Sequence, residues 1–172
     1  VVDVRPTTGD VLFKTNLVDQ VKFMYAWIGS NYTKVERTAT WDYLQAFVDE
    51  ARKQGLRIHA AINTFVGGNQ IDGGTGLLYR DQSKAEWATQ MNMQVGITSV
   101  MNTSESTKFF NPAHPEVQTF LCDLLKDLAG YDLDGIFLDR GRFLNLQADF
   151  SNESRKQFEN YIGGIKIPNY PN

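Results

Sequence analysis

A single cysteine, Cys122, excludes any internal disulfide and leaves the redox compartment of this chain open. Long apolar runs are missing too: none approaches the length of a membrane span. Neither sign of charge dominates, since seventeen Lys and Arg stand against twenty Asp and Glu for a net charge of −3, with no long run of either. That excludes a polybasic surface for nucleic acid or for anionic membrane. Histidine is scarce as well. His59 and His114 are the only two, no His-x-His spacing joins them, and neither a metal site nor a cofactor is expected. The glycines around 67–76 do not follow a strand-to-helix turn, which excludes a phosphate loop.

What is present reads as a globular chain. Its 172 residues, 42% hydrophobic and 22% charged, suffice for one domain with a real core. The sequence starts at Val1-Val2, without Met and already inside an apolar run, so it reads as a piece of something longer. Val1 to Pro6 alternates as a strand, and Pro6 and Gly9 then open a loop carrying Thr7, Thr8 and Asp10. Val11 to Arg37 is rich in aromatics (Phe13, Phe23, Tyr25, Trp27 and Tyr32) but holds no sustained period, and reads as a long excursion.

Thr40 is the expected N-cap of a helix over Trp41–Gln54, with Leu44, Phe47, Val48 and Ala51 as its apolar stripe and Gly55 as its left-handed stop. Arg57–Phe65 is the next strand. Residues 66–110 predict an insertion or flap outside the main layers. Pro115 opens the clearest amphipathic helix, with Val117, Phe120, Leu121, Leu124, Leu125 and Leu128 on one stripe and Gly130 closing it. A short apolar strand ending at Asp139 follows. Ser151 caps a last helix through Phe158, Tyr161 and Ile162, stopped by Gly163-Gly164, and the tail with Pro168 and Pro171 shows no partner.

Strand, helix, strand, helix, strand, helix predicts βα units and a parallel sheet. Parity then sorts the side chains. One face is apolar throughout: Val2 and Val4, then Ile58, Ala60 and Ile62, then Ile136 and Leu138. The other face carries Asp3 and Arg5, then His59 and Asn63, then Gly135, Phe137 and Asp139. A doubly wound sheet buries both faces under helices, whereas polar residues gathering toward one end suit the inner mouth of a β/α barrel. Arg5, Asn63 and Asp139 would ring that rim, where binding groups sit beyond the carboxyl ends of strands. Asp134, five residues before Asp139 and roughly 17 Å away along an extended strand, belongs to the opposite end and to a structural role with Asp132.

Phe110-Asn111-Pro112-Ala113-His114-Pro115-Glu116-Val117 and Asp134-Gly135-Ile136 through Asp139 resemble the glycosyl-hydrolase-like family 10 proteins, bacterial glycosidases with a TIM-barrel domain. Val2-Asp3-Val4-Arg5-Pro6, His59-Ala60-Ala61-Ile62-Asn63 and Phe150-Ser151-Asn152-Glu153-Ser154-Arg155 with Phe158 resemble the same family, in the right order. The resemblance implies an α/β fold of the (β/α)8 type, here an incomplete barrel of three to four βα units over residues 1–172. It also implies that the remaining half of the barrel is a partner, that the protein is exported (periplasmic, outer-membrane or extracellular), and that it takes a carbohydrate substrate. Asp139 further resembles the fourth-strand nucleophile of amylase-like barrels, but Arg140 and Phe137 depart from that pattern, so no amylase mechanism is carried over.

Glycoside hydrolysis needs two carboxyl groups across the scissile bond. Asp139 is placed for one, as nucleophile or as base; the bland alternative is a structural ion pair with Arg5 or Arg142. No second carboxyl stands out: Asp3 is inward but one pleat deeper and reads as a partner of Arg5, while Asp10 and Glu105 sit in loops. Arg5, Asn63, Arg140 and His59 are candidate sugar-binding residues, with His59 equally readable as a core histidine and His114 as a helix cap. A glycoside hydrolase is the leading expectation, inactive as this segment alone. A non-catalytic carbohydrate-binding barrel, or a metal-dependent amidohydrolase or deacetylase, are the alternatives.

Overall fold

The computed structural model describes residues 1–37 and 40–169. In chain order the elements are β1 (Val2–Arg5), β2 (Phe23–Ile28), β3 (Asn31–Glu36), α1 (Tyr43–Lys53), β4 (His59–Asn63), β5 (Val66–Asn69), the one-turn α2 (Leu77–Arg80), β6 (Gln90–Met93), β7 (Gly96–Ser99), β8 (Thr107–Phe109), α3 (Pro115–Ala129), β9 (Gly135–Asp139) and α4 (Asn152–Tyr161). The fold is mixed α/β around a three-stranded parallel sheet in the order β1-β4-β9.

That sheet forms because each strand is apolar at alternate positions and a helix returns the chain to its start. Val4, Ile58, Ala60 and Ile62 join one buried cluster with Leu44 and Val48 of α1 and with Val117, Phe120, Leu121, Leu124 and Leu128 of α3. Fully burying such side chains is worth roughly 1.5–3 kcal/mol each, so these few account for most of what holds the layers together. α3 starts as its sequence predicts: His114 is the N-cap, its ring Nδ1 accepting the Glu116 N–H, and Pro115 fills the first helical position. α1 is capped by Asp42, whose carboxylate accepts the Gln45 N–H, and not by Thr40 two residues earlier. Gly55 takes the left-handed conformation just beyond its end.

Two features depart from strict alternation. The register slips between Asp3 and Arg5, so Arg5 lies level with Ile62 and not with Asn63. Such a bulge re-aims a side chain, and it sends Arg5 into full burial. In β9, Phe137 and Leu138 are both more than half exposed although they point to opposite faces. This strand is therefore a sheet edge, with no neighbour on its far side among the described residues.

Val11–Arg37 is more ordered than its composition suggests, because β2 and β3 form a regular antiparallel hairpin within it. Residues 66–110 hold two further antiparallel pairs, β5 with β8 and β6 with β7. Their first glycines serve close approach of backbones. A Cβ on Gly76 (φ +81) would stand 2.5 Å from the Gly68 Cα and 2.7 Å from the Thr8 carbonyl oxygen, so the turn after β1 and the segment after β4 meet main chain to main chain.

α4 begins at Ser151 as expected, but its predicted apolar stripe faces outward. Phe158 and Tyr161 are exposed, and Glu159 is the buried residue, held by Arg155 and by Lys166 at 2.6 Å. The chain beyond the helix also has a partner: the Ile167 N–H donates to Glu159 and its carbonyl accepts from Arg155. Pro171 lies outside the described residues.

Candidate active site

Parallel pairing sets Asn63 beside Asp139 at the carboxyl ends of β4 and β9. The bond from the Thr64 N–H to the Asp139 carbonyl, 2.7 Å, continues the ladder one step past the strands. The Asp139 side chain is exposed and accepts the Arg140 N–H at 2.7 Å. Among the described residues no cation lies within ion-pair distance of it. Arg142 instead donates to the Phe143 and Leu144 carbonyls, and Arg5 is engaged elsewhere. Arg140 has φ +49, a left-handed turn that ends the strand directly after the carboxylate.

Arg5 lies beneath this rim. It is fully buried, and its guanidinium donates to the main-chain carbonyls of Asn63, Thr64 and Val66, while the Asn63 amide returns a 2.9 Å bond to the Arg5 carbonyl. Burial pulls the guanidinium below its ordinary value, to about 10. With its fork occupied by backbone, Arg5 holds the exit of β4 in shape and has no surface to offer a sugar. Asn63, 6% exposed, also spends its amide N–H on that frame.

Asp3 is the residue that sequence reasoning set aside. It was expected to pair with Arg5, yet the Arg5 guanidinium turns away to the carbonyls and only the Arg5 N–H reaches the Asp3 carboxylate, at 3.2 Å. Asp3 lies in register with Ala61, which pairs with Phe137, so its side chain shares a face with Asp139 two residues further along. Asp3 keeps an exposed surface, and its carboxyl is raised above the usual aspartate range, chiefly by partial loss of hydration and further by the charge of Asp139; the Arg5 N–H and guanidinium oppose this. Parity was the signal for it. Asp10, by contrast, is buried and held by Arg80.

At the opposite end of the sheet the expectation for Asp134 holds. Its carboxylate accepts the Ile58 N–H at 2.7 Å and an Arg52 N–H at 2.8 Å, and these hold it below the usual range. Arg52 also grips Asp132 at 2.7 Å, so one side chain at the end of α1 fixes the turn into β9. Gly135 makes room for His59, whose Cδ2 would lie 2.7 Å from any Cβ there. His59 is four residues before Asn63, roughly 13 Å along the strand, and is not brought to the rim.

The two motif blocks downstream form one knot. The Asn111 amide donates to Ser151 Oγ at 2.9 Å while its carbonyl oxygen accepts the Ala113 N–H at 2.9 Å. The Asp149 carboxylate accepts from Thr89 Oγ1 at 2.8 Å, the Gln90 N–H at 2.6 Å, the Ser151 N–H and Oγ, and Ser154 Oγ at 2.7 Å. These motifs therefore tie β6 and the start of α4 to the loop before α3. Among the described residues, no group of three His, Cys, Asp or Glu side chains is arranged to hold a metal ion, and no helix is long and apolar enough to cross a membrane.

Comparison with known proteins places this geometry in context. A family model described as glycosyl hydrolase-like 10 matches residues 2–169. An S-layer-related protein of Niallia circulans is 33% identical over 138 residues, which is 76% of this chain and 8% of that relative. The chain thus spans a small part of the length of the curated relative it matches.

Proposed function

Since this chain belongs to the glycosyl hydrolase-like 10 family, we propose that it carries the carboxyl groups of a glycoside hydrolase acting on a cell-surface polysaccharide or peptidoglycan-type glycan. The observation that carries this reading is the Asp139 carboxylate. It stands exposed at the carboxyl end of a parallel strand, with no cation among the described residues within ion-pair distance and with the Asp3 carboxyl on the same face. The name of the S-layer-related relative supports a place at the cell surface.

In this reading the sheet is one arc of a β/α barrel, and further strands continue it from the open edge of β9. The order β1-β4-β9, each strand beside the next βα unit, is the order such a barrel requires. Residues 66–110 form an insertion above the strand ends. Asp3 is the acid, since its carboxyl keeps its proton better than an ordinary aspartate, and Asp139 is the base. Two strand spacings across the sheet and two residues along it put the Asp3 and Asp139 backbones roughly 11.5 Å apart. So wide a pair suits inversion, whose carboxyls stand about 6.5–9.5 Å apart to leave room for water, better than retention at about 5–5.5 Å, and the two side chains must lean toward each other to reach that range. Asp3 protonates the glycosidic oxygen as its bond to the anomeric carbon breaks; Asp139 takes a proton from the water that attacks that carbon from the other side. Arg5 and Asn63 position β4 and, through Thr64, Asp139. Arg140 is the side chain nearest in sequence to meet the sugar.

The test is release of reducing ends from purified peptidoglycan glycan strands by a form of the protein with a complete barrel. Asp139→Asn is expected to lower turnover by at least about a thousandfold while leaving the far-UV spectrum unchanged. Unchanged turnover would remove Asp139 from the mechanism. Glycan binding by the unmodified protein without any release would favour a carbohydrate-binding barrel that does no chemistry.

A further inference from the structure

We propose that the β2–β3 hairpin is a sugar-stacking platform, a second carbohydrate surface that takes the flat pyranose faces of an uncharged glycan chain. The proposal rests on the reading of a glycan as substrate and adds a surface to it. Register places Phe23 opposite Glu36, Tyr25 opposite Lys34, and Trp27 opposite Tyr32, so all six side chains share one face of the hairpin. The Tyr25 and Tyr32 rings stack with centroids 5.3 Å apart and planes 23° apart, and Trp27 lies 5.3 Å from Tyr32. Trp27 is 70% exposed and Tyr32 59%.

The hairpin is tethered. Tyr25 Oη donates to Asp72 at 2.7 Å and Lys34 Nζ pairs with the same carboxylate at 2.6 Å. Asp72 lies just beyond β5, in the chain that leaves the carboxyl end of β4, so the rings stand at the same end of the sheet as Asp139. Cross-strand ring pairs stabilise hairpins on their own, which accounts for Trp27 packing on Tyr32 directly opposite it and for Tyr25 on the diagonal. It does not account for a row of rings whose outer end, Trp27, is left largely open to water.

Size and charge choose the occupant. Three rings present at most about 150–250 Å² each, below the roughly 800 Å² per partner that a stable protein interface buries. A pyranose face is the size of one ring. Lys34 lies between Glu36, at 3.3 Å, and Asp72, so the face offers no net positive charge to a phosphate or a nucleic acid. What it offers is apolar ring faces with donors and acceptors at their edge, the complement of a sugar with a C–H face and a rim of hydroxyls.

The experiment needs no hydrolysis and uses the same form of the protein with a complete barrel. Cellohexaose and chitohexaose are titrated by calorimetry into the unmodified protein, Trp27→Ala, Tyr32→Ala, Trp27→Phe and Tyr161→Ala, with circular dichroism as a check on folding. Expected is binding of at least one hexaose, weakened about tenfold or more by Trp27→Ala and by Tyr32→Ala, largely restored by Trp27→Phe, and unchanged by Tyr161→Ala, which removes an exposed ring on α4. Equal binding by Trp27→Ala and the unmodified chain would overturn the platform and leave the glycosidase reading intact. No binding of either hexaose would overturn the platform; if release from glycan strands also failed, the glycosidase reading would fall with it. A concentration-dependent dimer dissolved by Trp27→Ala would overturn the platform in favour of a contact between copies.

Discussion

Arg5→Met should be among the most damaging single substitutions in the chain. Methionine matches the volume of the buried stem but supplies no donor, and the three carbonyls that Arg5 serves are main chain and cannot be mutated away. The bonds to Asn63 and Val66 are the strong ones; that to Thr64, at 3.4 Å, is at the limit of a hydrogen bond and counts for little. Bonds from an ionised donor contribute roughly 1.5–3 kcal/mol each, so two amount to roughly 3–6 kcal/mol. Removing a buried cation whose Nε has no partner returns roughly 1–3 kcal/mol of desolvation. The net loss is about 3 kcal/mol, which for a chain of this size lowers the melting temperature by roughly 6–12 °C. Urea unfolding followed by far-UV circular dichroism measures it, with the midpoint falling and the slope unchanged. Arg5→Lys should lose about half as much, because an ammonium is a single point where the guanidinium is a fork. A midpoint for Arg5→Met equal to or above that of the unmodified chain would refute the reasoning: burial of the cation would then outweigh everything its bonds contribute.

The remaining predictions concern the other carboxylates. Asp149→Ala removes the acceptor that joins Thr89, Gln90, Ser151 and Ser154, and is expected to destabilise by about 2–4 kcal/mol in the same urea assay; Asp149→Asn, with one acceptor oxygen, should lose about half of that. Because the Asp3 carboxyl is raised in the folded state, its contribution is full below the unfolded value near 3.8 and is lost as pH rises through the folded one. Asp3→Asn should therefore be more stable than the unmodified chain at pH 7.5 and indistinguishable from it near pH 3.5. A variant less stable at neutral pH would contradict that sign.

Alternation and helical spacing were enough to find the three parallel strands and the helices between them, because apolar side chains recur in each at its own period, even in β9 where both faces are left exposed. They also set Asn63 beside Asp139 and sent Asp134 to the far end. The same logic failed where one extra residue entered a ladder: the bulge before Arg5 is invisible in Val-Asp-Val-Arg, and it turns an expected sugar contact into a buried brace. It failed again at the hairpin, since Phe23 to Ile28 is apolar on both faces and shows no period to read. In α4 the helical stripe was real, but Phe158 and Tyr161 have nothing to lie against among the described residues, so the buried Glu159 could not be foreseen. The Asp149 knot draws on residues about sixty positions away, which no local pattern reports.

The open edge of β9 has a consequence for anyone handling this chain in solution. Unpaired N–H and C=O groups, flanked by Phe137 and Leu138 on the two faces, form a template for any extended segment, including another copy of the same strand. Only three apolar residues, Ile136 to Leu138, lie in succession, and charges close the stretch on both sides: Asp134 before it, Asp139 and Arg140 after it. Those charges act as gatekeepers against fibrous growth. Removing the charges that close the strand, as in Asp139→Ala with Arg140→Ala, should therefore lower solubility, which a precipitation assay at increasing protein concentration measures.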